Sequence, residues 1–150
     1  MELEQVFSIV NSTAFFSWIF LFVFYKKKWV FQAIFSGVFV LMALTYLFFI
    51  IKGLGGESQG GFDSLANVKA LFSSDEAVLA GWIHYLVFDL FVGMWIVQDG
   101  KKRGINRWVL LPCLLGTFML GPVGLLLYII IRSVHLKRFP HSPYDEELVS

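Results

Sequence analysis

The chain has 150 residues, 57% hydrophobic, 18% aromatic and only 15% charged, with a mean hydropathy of +0.72 and a formal net charge of +1. A soluble domain carries about 25% charged residues, so the composition points to a bilayer, and the near-neutral balance advertises no nucleic-acid partner. A single cysteine, Cys113, excludes an intrachain disulfide and a cysteine-based metal cage.

The N-terminal MELEQ is acidic. It has neither the positive start nor the small-residue cleavage site of a secretory signal, and no Arg/Ser-rich transit segment precedes the first apolar run. That run is therefore expected to be retained, in a bacterial plasma membrane, with a plastid membrane as the alternative. Val6–Tyr25 is the first expected span, about the 20 residues that a ~30 Å hydrocarbon core requires. It holds Asn11, Ser12, Thr13 and Ser17 and ends at Lys26, Lys27 and Lys28. Trp29–Ile51 is the second span, joined to the first by a tight turn.

Lys52–Asp75 is the one long polar connection. Its GLGGESQGG stretch is flexible by composition and lacks the Lys-Ser/Thr pair of a phosphate loop. In Phe62–Phe72, residues Leu65, Val68, Leu71 and Phe72 share one helical face, which suits a short interfacial helix; a plain surface loop fits as well. Ser73-Ser74-Asp75-Glu76 reads as a capping box opening a third span, Ala77–Val97. A second basic turn follows, with Asp99, Lys101, Lys102, Arg103 and Arg107. Trp108–Ile131 is the fourth span, kinked at Pro122, which cannot donate to the Phe118 carbonyl. Residues 133–150 form a polar tail. The expected fold is thus an all-α membrane protein: four transmembrane helices in two antiparallel hairpins, one domain over 1–132.

Lys and Arg counts set the orientation. The two basic turns carry seven and the opposite side five, counting Lys52, Lys69, Arg132, Lys137 and Arg138. The clustered turns are placed in the cytoplasm and both termini outside. WVFQAIFSGVF at 29–39 aligns without a gap with WVLLPCLLGTF at 108–118, through a duplicated hairpin or through chance in an apolar sequence.

The third span carries the polar residues with chemical potential, His84 and Asp89. An Asp near the middle of a spanning helix costs about 2.5–3.5 kcal/mol on insertion scales, so it needs a partner, a water-filled cavity or a task. Helix rise puts Asp89 about 12 Å and His84 about 20 Å above the basic-turn side. Thr117, Gly37 and Ser17 fall at the first depth, and Pro122, Ser12 and Thr13 at the second. Small and hydroxyl residues also serve ordinary helix packing, and Pro122 suits a packing kink. The five-residue interval sets His84 and Asp89 about 140° apart. Asp89 shares a face with Trp82, Tyr85, Gly93 and Ile96; His84 shares one with Phe88, Phe91 and Trp95. Tyr85 stands one turn from Asp89, within hydrogen-bonding reach. Both titratable groups are expected to face the bundle interior, reached by an apolar cleft. Asp99 and Arg107 read as turn and interface residues. His135 and His141 make no ligand spacing with His84, and no metal site, serine triad or nucleotide motif is present.

Trp82-Ile83-His84, Asp89-Leu90-Phe91, Asp99-Gly100 and Gly121-Pro122-Val123-Gly124 resemble the signature of the abscisic-acid-deficient-four-like family of small four-helix membrane proteins. The resemblance covers about residues 5–132 and is sharpest over 80–128. Plant members are implicated in making neoxanthin from violaxanthin, so the resemblance implies an isomerisation in which an epoxide opens while a neighbouring proton leaves to form an allene. Such a step needs an acid and a base, with no cofactor and no metal. It casts Asp89 as acid and His84 as base, with Trp82, Tyr85, Phe88, Thr117 and Pro122 lining the substrate. The ligand would be a carotenoid, another isoprenoid or a membrane lipid, and both a single chain and a homo-oligomer are open as the assembly. Two other functions fit the residues: a non-catalytic scaffold that binds such a lipid, and a small transporter or proton-relay subunit using Asp89 and His84.

Overall fold

The computed structural model describes residues 2–54 and 60–137, and these are helical, without a strand. Most of the GLGGESQGG connection and the tail from 138 onward, with His141, lie outside the described residues. Six helices follow in order. Helix α1 is Leu3–Val23; α2 starts as Lys28–Ala33, passes through a π-helical turn at Ile34–Val38 and continues as Phe39–Leu54. Helix α3 is Leu65–Leu71, α4 is Asp75–Lys102, α5 is Arg107–Leu120 and α6 is Pro122–Leu136. Three of them, α1, α2 and α4, are long and apolar enough to cross a membrane, with 21 residues in α1, 26 over Lys28–Gly53 of α2 and 28 in α4; α5 and α6 are shorter apolar helices. Only 17% of the most apolar window of α2 is buried. Its outer face therefore needs an apolar solvent, which a bilayer supplies.

The chain divides into two compact units, Met1–Phe91 and Val92–Ser150, with the boundary inside α4. The first packs α1, α2 and the first part of α4 around Val6, Val10 and Ala14, Met42 and Phe49, and Leu79, Ala80, Ile83 and Leu86. Lipid is as apolar as this core, so burial alone does not hold the helices; close packing and interhelical hydrogen bonds do. Ala14 and Ala80 are fully buried at the contacts. Trp82 Nε1 donates to Asn11 Oδ1 at 3.0 Å, tying α4 to α1. Three span hydroxyls bond their own helix: Thr13 to the Ile9 carbonyl, Ser17 to Thr13 and Thr45 to Leu41, at 2.7–2.9 Å. This satisfies these three donors without water, as a hydrocarbon surrounding demands.

The π turn in α2 closes through Phe39 N to the Ile34 carbonyl. In an unbroken α-helix Met42 would stand about 80° off the line of Ile34. The wider turn takes up that offset, and both residues are buried. Ser74, rather than Ser73, caps α4: its hydroxyl accepts from Ala77 N at 3.2 Å, so Asp75 and Glu76 occupy the first turn, where the helix dipole favours acids. The short helix expected between the second and third spans is present as α3, capped by Ser64.

The second unit departs from expectation. The segment read as one kinked fourth span is two helices. Gly121 takes φ 53° and ψ −105°, a conformation open to glycine and strained for other residues. Pro122 then heads α6, where its missing N–H breaks no helical bond. The two helices fold back on each other closely enough that a Cβ at Gly124 would collide with the backbone of Thr117 and Cys113, and one at Gly116 would stand 3.0 Å from Gly124 Cα. Helix α6 also runs to Leu136, so residues 133–136 are helical and not tail. Its C-terminal end lies beside the end of α4: Arg132 bonds Asp99, and His135 Nε2 lies 3.1 Å from the Arg103 carbonyl. Arg132 and Lys137, assigned above to the side opposite the second basic turn, therefore share its side. Single cysteines at Lys102 and Lys137, in a Cys113→Ser background, are expected to react with an impermeant maleimide from the same side of the membrane. Reaction from opposite sides would restore a full fourth crossing.

Candidate functional site

The middle of α4 follows from its core stripe. Leu79, Ala80, Ile83, Leu86 and Leu90 recur at three- and four-residue intervals and are all buried. The residues between them are sorted onto two flanks. Trp82 lies on the α1 flank, bonded to Asn11 and 5.9 Å from the Phe7 ring, with Tyr85 next to it at 5.4 Å. Asp89 stands one turn beyond Tyr85, whose side chain hydrogen-bonds the carboxyl group. Asp89 is half-buried, and its Oδ2 is inaccessible and without a hydrogen-bond partner. Buried carboxyl oxygens in folded proteins are ordinarily satisfied, so this atom calls for a reason.

His84 lies on the α2 flank. Its ring stacks on Phe88 with centroids 4.5 Å apart and meets Tyr46 of α2 at 5.8 Å; further along, Phe91 meets Phe39 at 6.1 Å. His84, Phe88 and Phe91 are exposed. The expectation that both titratable groups face the interior therefore gives way to an asymmetry. Asp89 is drawn in on one flank and His84 faces out on the other, because the apolar stripe between them takes the core position. Two clefts open on this unit, about 310 Å³ beside Phe7, Asp75 and Trp82, and about 700 Å³ beside Leu41, Thr45, Phe48 and Glu76. His84 and Asp89 line neither.

Thr117 and Pro122 belong to the other unit. The fully buried Thr117 hydroxyl donates to the Cys113 carbonyl at 2.8 Å, and Pro122 is an exposed helix-starting residue.

That unit also holds a polar cluster larger than the pair singled out from sequence. Asp99 accepts from Arg103 Nε at 2.9 and 3.0 Å, from the Tyr128 hydroxyl at 2.6 Å and from Arg132 Nε at 2.8 Å. Side-chain exposure is 9% for Asp99, 4% for Arg103 and 3% for Arg132, and Tyr128 is fully buried with Trp95 edge-on at 5.3 Å. Asp99 is thus a buried hub inside α4 and not a turn residue. Two signals pointed to it: the i,i+4 spacing of Asp99 with Arg103, and an arginine at 132 inside an apolar run, which requires an acidic partner. Arg107 places its guanidinium 4.9 Å over the ring of exposed Trp108.

A model of the ABA4-like family, described as ABA DEFICIENT 4-like, matches residues 5–128. No curated protein and no solved structure matches the chain.

Proposed function

This chain belongs to the ABA DEFICIENT 4-like family, and from that premise we propose that it is an integral membrane isomerase of a carotenoid or related isoprenoid, working by acid–base chemistry in a bacterial plasma membrane. The observation that carries the proposal is the inaccessible Asp89 Oδ2 without a hydrogen-bond partner, beside the Tyr85 hydroxyl and on the flank that presents Trp82. A carboxyl group kept for structure ordinarily has both oxygens satisfied; one held with an oxygen unanswered suits proton donation to a substrate oxygen that reaches it by displacing a neighbouring side chain. Asp89 is the acid. His84, among Tyr46, Phe88 and Phe91 on the outer flank, offers an imidazole to a polyene lying along the bilayer-facing rings.

A second reading, a non-catalytic scaffold that binds such a lipid, draws on the placement of His84 and Asp89 on different flanks of α4. Expression in cells that accumulate violaxanthin separates the two. Catalysis predicts an allenic or otherwise isomerised product. Asp89→Asn should lower its rate by about 10²–10⁴-fold, the range of general acid–base catalysis, with protein level unchanged. Asp89→Leu should insert at least as well as the parent, since it removes the insertion cost. Co-purified pigment with no product in any variant would favour the scaffold. Loss of folded protein in Asp89→Leu would make Asp89 a structural hub and overturn the catalytic reading.

A further inference from the structure

Along α2, Leu41, Leu44, Thr45, Phe48 and Lys52 recur at one- to four-residue intervals that place them on one face. Met42 and Phe49, on the adjoining face, are buried in the core, whereas Leu41, Leu44, Phe48 and Lys52 are exposed. This face lines the cleft of about 700 Å³, together with Leu3 and Val6 of α1. The Thr45 hydroxyl spends its proton on the Leu41 carbonyl at 2.9 Å, so the wall stays apolar in character. Charge enters at one end only. The charged lining residues are Glu2, Lys52 and Glu76, at the start of α1, the end of α2 and the start of α4. Lys52 Nζ lies 4.0 Å from Glu76 Oε1 and 5.6 Å from the centre of the Phe48 ring. Its stem therefore follows the apolar wall and its ammonium stands at the rim. An ion pair this long and this exposed holds its partners loosely, so a head group can enter between them. From Leu41 to Lys52 the helix rises about 16 Å, half of a ~30 Å hydrocarbon core. The cleft is thus one leaflet deep, apolar along its length and lined by both signs of charge at its mouth.

We propose that this cleft seats an acyl chain of a zwitterionic phospholipid whose head carries a primary amine, with the phosphate at Lys52 and the ammonium at Glu76 and Glu2. The depth matches a chain lying along the bilayer normal, and the rim matches a head of both signs. A primary ammonium has three protons to donate to carboxylates; a trimethylated head has none. A head with a phosphate and no cation would meet Glu2 and Glu76 with like charge. The proposal is independent of the isomerase reading, because neither His84 nor Asp89 lines this cleft.

The test uses the full chain in neutral detergent, titrated with phosphatidylethanolamine, or with phosphatidylcholine or phosphatidylglycerol of the same acyl chains, and read by native mass spectrometry and thermal unfolding. Phosphatidylethanolamine is expected to form a retained adduct and raise the midpoint, and the other two to do neither at equal concentration. Lys52→Gln alters an exposed side chain and is expected to weaken the adduct about fivefold, with the lipid-free midpoint unchanged. Glu76→Gln should abolish the preference for the ethanolamine head over choline. Leu44→Trp, from another exposed position, puts an indole into the cleft and should remove the adduct. Where that variant lowers the lipid-free midpoint, Lys52→Gln decides alone. Parental retention in Lys52→Gln, or in a stably folded Leu44→Trp, would overturn the site. Equal retention of phosphatidylcholine or phosphatidylglycerol by the parent would overturn the head-group assignment. Displacement of the phospholipid by violaxanthin at equal concentration would overturn the lipid assignment in favour of the pigment.

Discussion

Replacing Asp99 by leucine is expected to destabilise the C-terminal unit by about 3–5 kcal/mol, the usual effect of removing one partner of a buried ion pair. The carboxylate receives Arg103, Arg132 and the Tyr128 hydroxyl at once. Without it, two buried guanidiniums are left with no carboxylate among the described residues of the unit. Asp99→Asn keeps an acceptor for Tyr128 and should fall between parent and leucine variant. The decisive comparison is the triple replacement of Asp99 by leucine with Arg103 and Arg132 by methionine. Swapping a whole buried ionic group for apolar side chains of similar volume is often neutral or stabilising, so the triple variant should recover most of the loss. The midpoint of thermal unfolding in detergent micelles is the readout. A single Asp99→Leu variant that melts with the parent would show that the cluster contributes nothing to the fold.

The three long helices were legible because their apolar runs are bounded by charge. The expected spans Val6–Tyr25, Trp29–Ile51 and Ala77–Val97 correspond to α1, α2 and α4; α1 starts earlier, at Leu3, and stops short, at Val23, while α2 and α4 continue by a few residues at both ends into charged positions such as Lys28, Asp75 and Lys102. Hydropathy cannot tell one span from a tight helical hairpin of equal length, which is why residues 108–131 read as a single span. Two local features carried the missing information. Gly121-Pro122 stops one helix and starts another, and Arg132 needs a partner that only a returning helix supplies. Asp89 stood out as a rare charge, but its relation to His84 was not legible. In a helix apolar all round, the core stripe cannot be distinguished from the lipid-facing sides, and that stripe decides which flank each group occupies. Of the residues that suggested the family, Asp99 and the Gly121–Gly124 stretch have structural tasks in the second unit, while His84 and Asp89 are the two to which the proposed chemistry is assigned.

Replacing Gly124 by valine should be as damaging as losing Asp99, through packing and without a change of charge. A side chain there meets the backbone of Thr117 and the carbonyl of Cys113, and neither can rotate away as a flexible side-chain tip would. Overpacking of this kind costs about 3 kcal/mol at the upper end of its usual range. The damage should spread along α6, since Tyr128 and Arg132 follow Gly124 at four-residue intervals on its buried face. Parting the hairpin at Gly124 would draw both from Asp99. The variant should therefore lose the protection of the Tyr128 hydroxyl as well as stability, and a cysteine at Ser133, buried in the parent, should become reactive to maleimide. Gly116→Ala offers the graded control: its new methyl would meet Gly124 Cα at 3.0 Å, so a smaller fall in midpoint is expected, with Ser133 still protected. If Gly124→Val instead kept both the midpoint and the protection at 133, α5 and α6 would not be in backbone contact, and the returning helix that places Arg132 beside Asp99 would have to be abandoned.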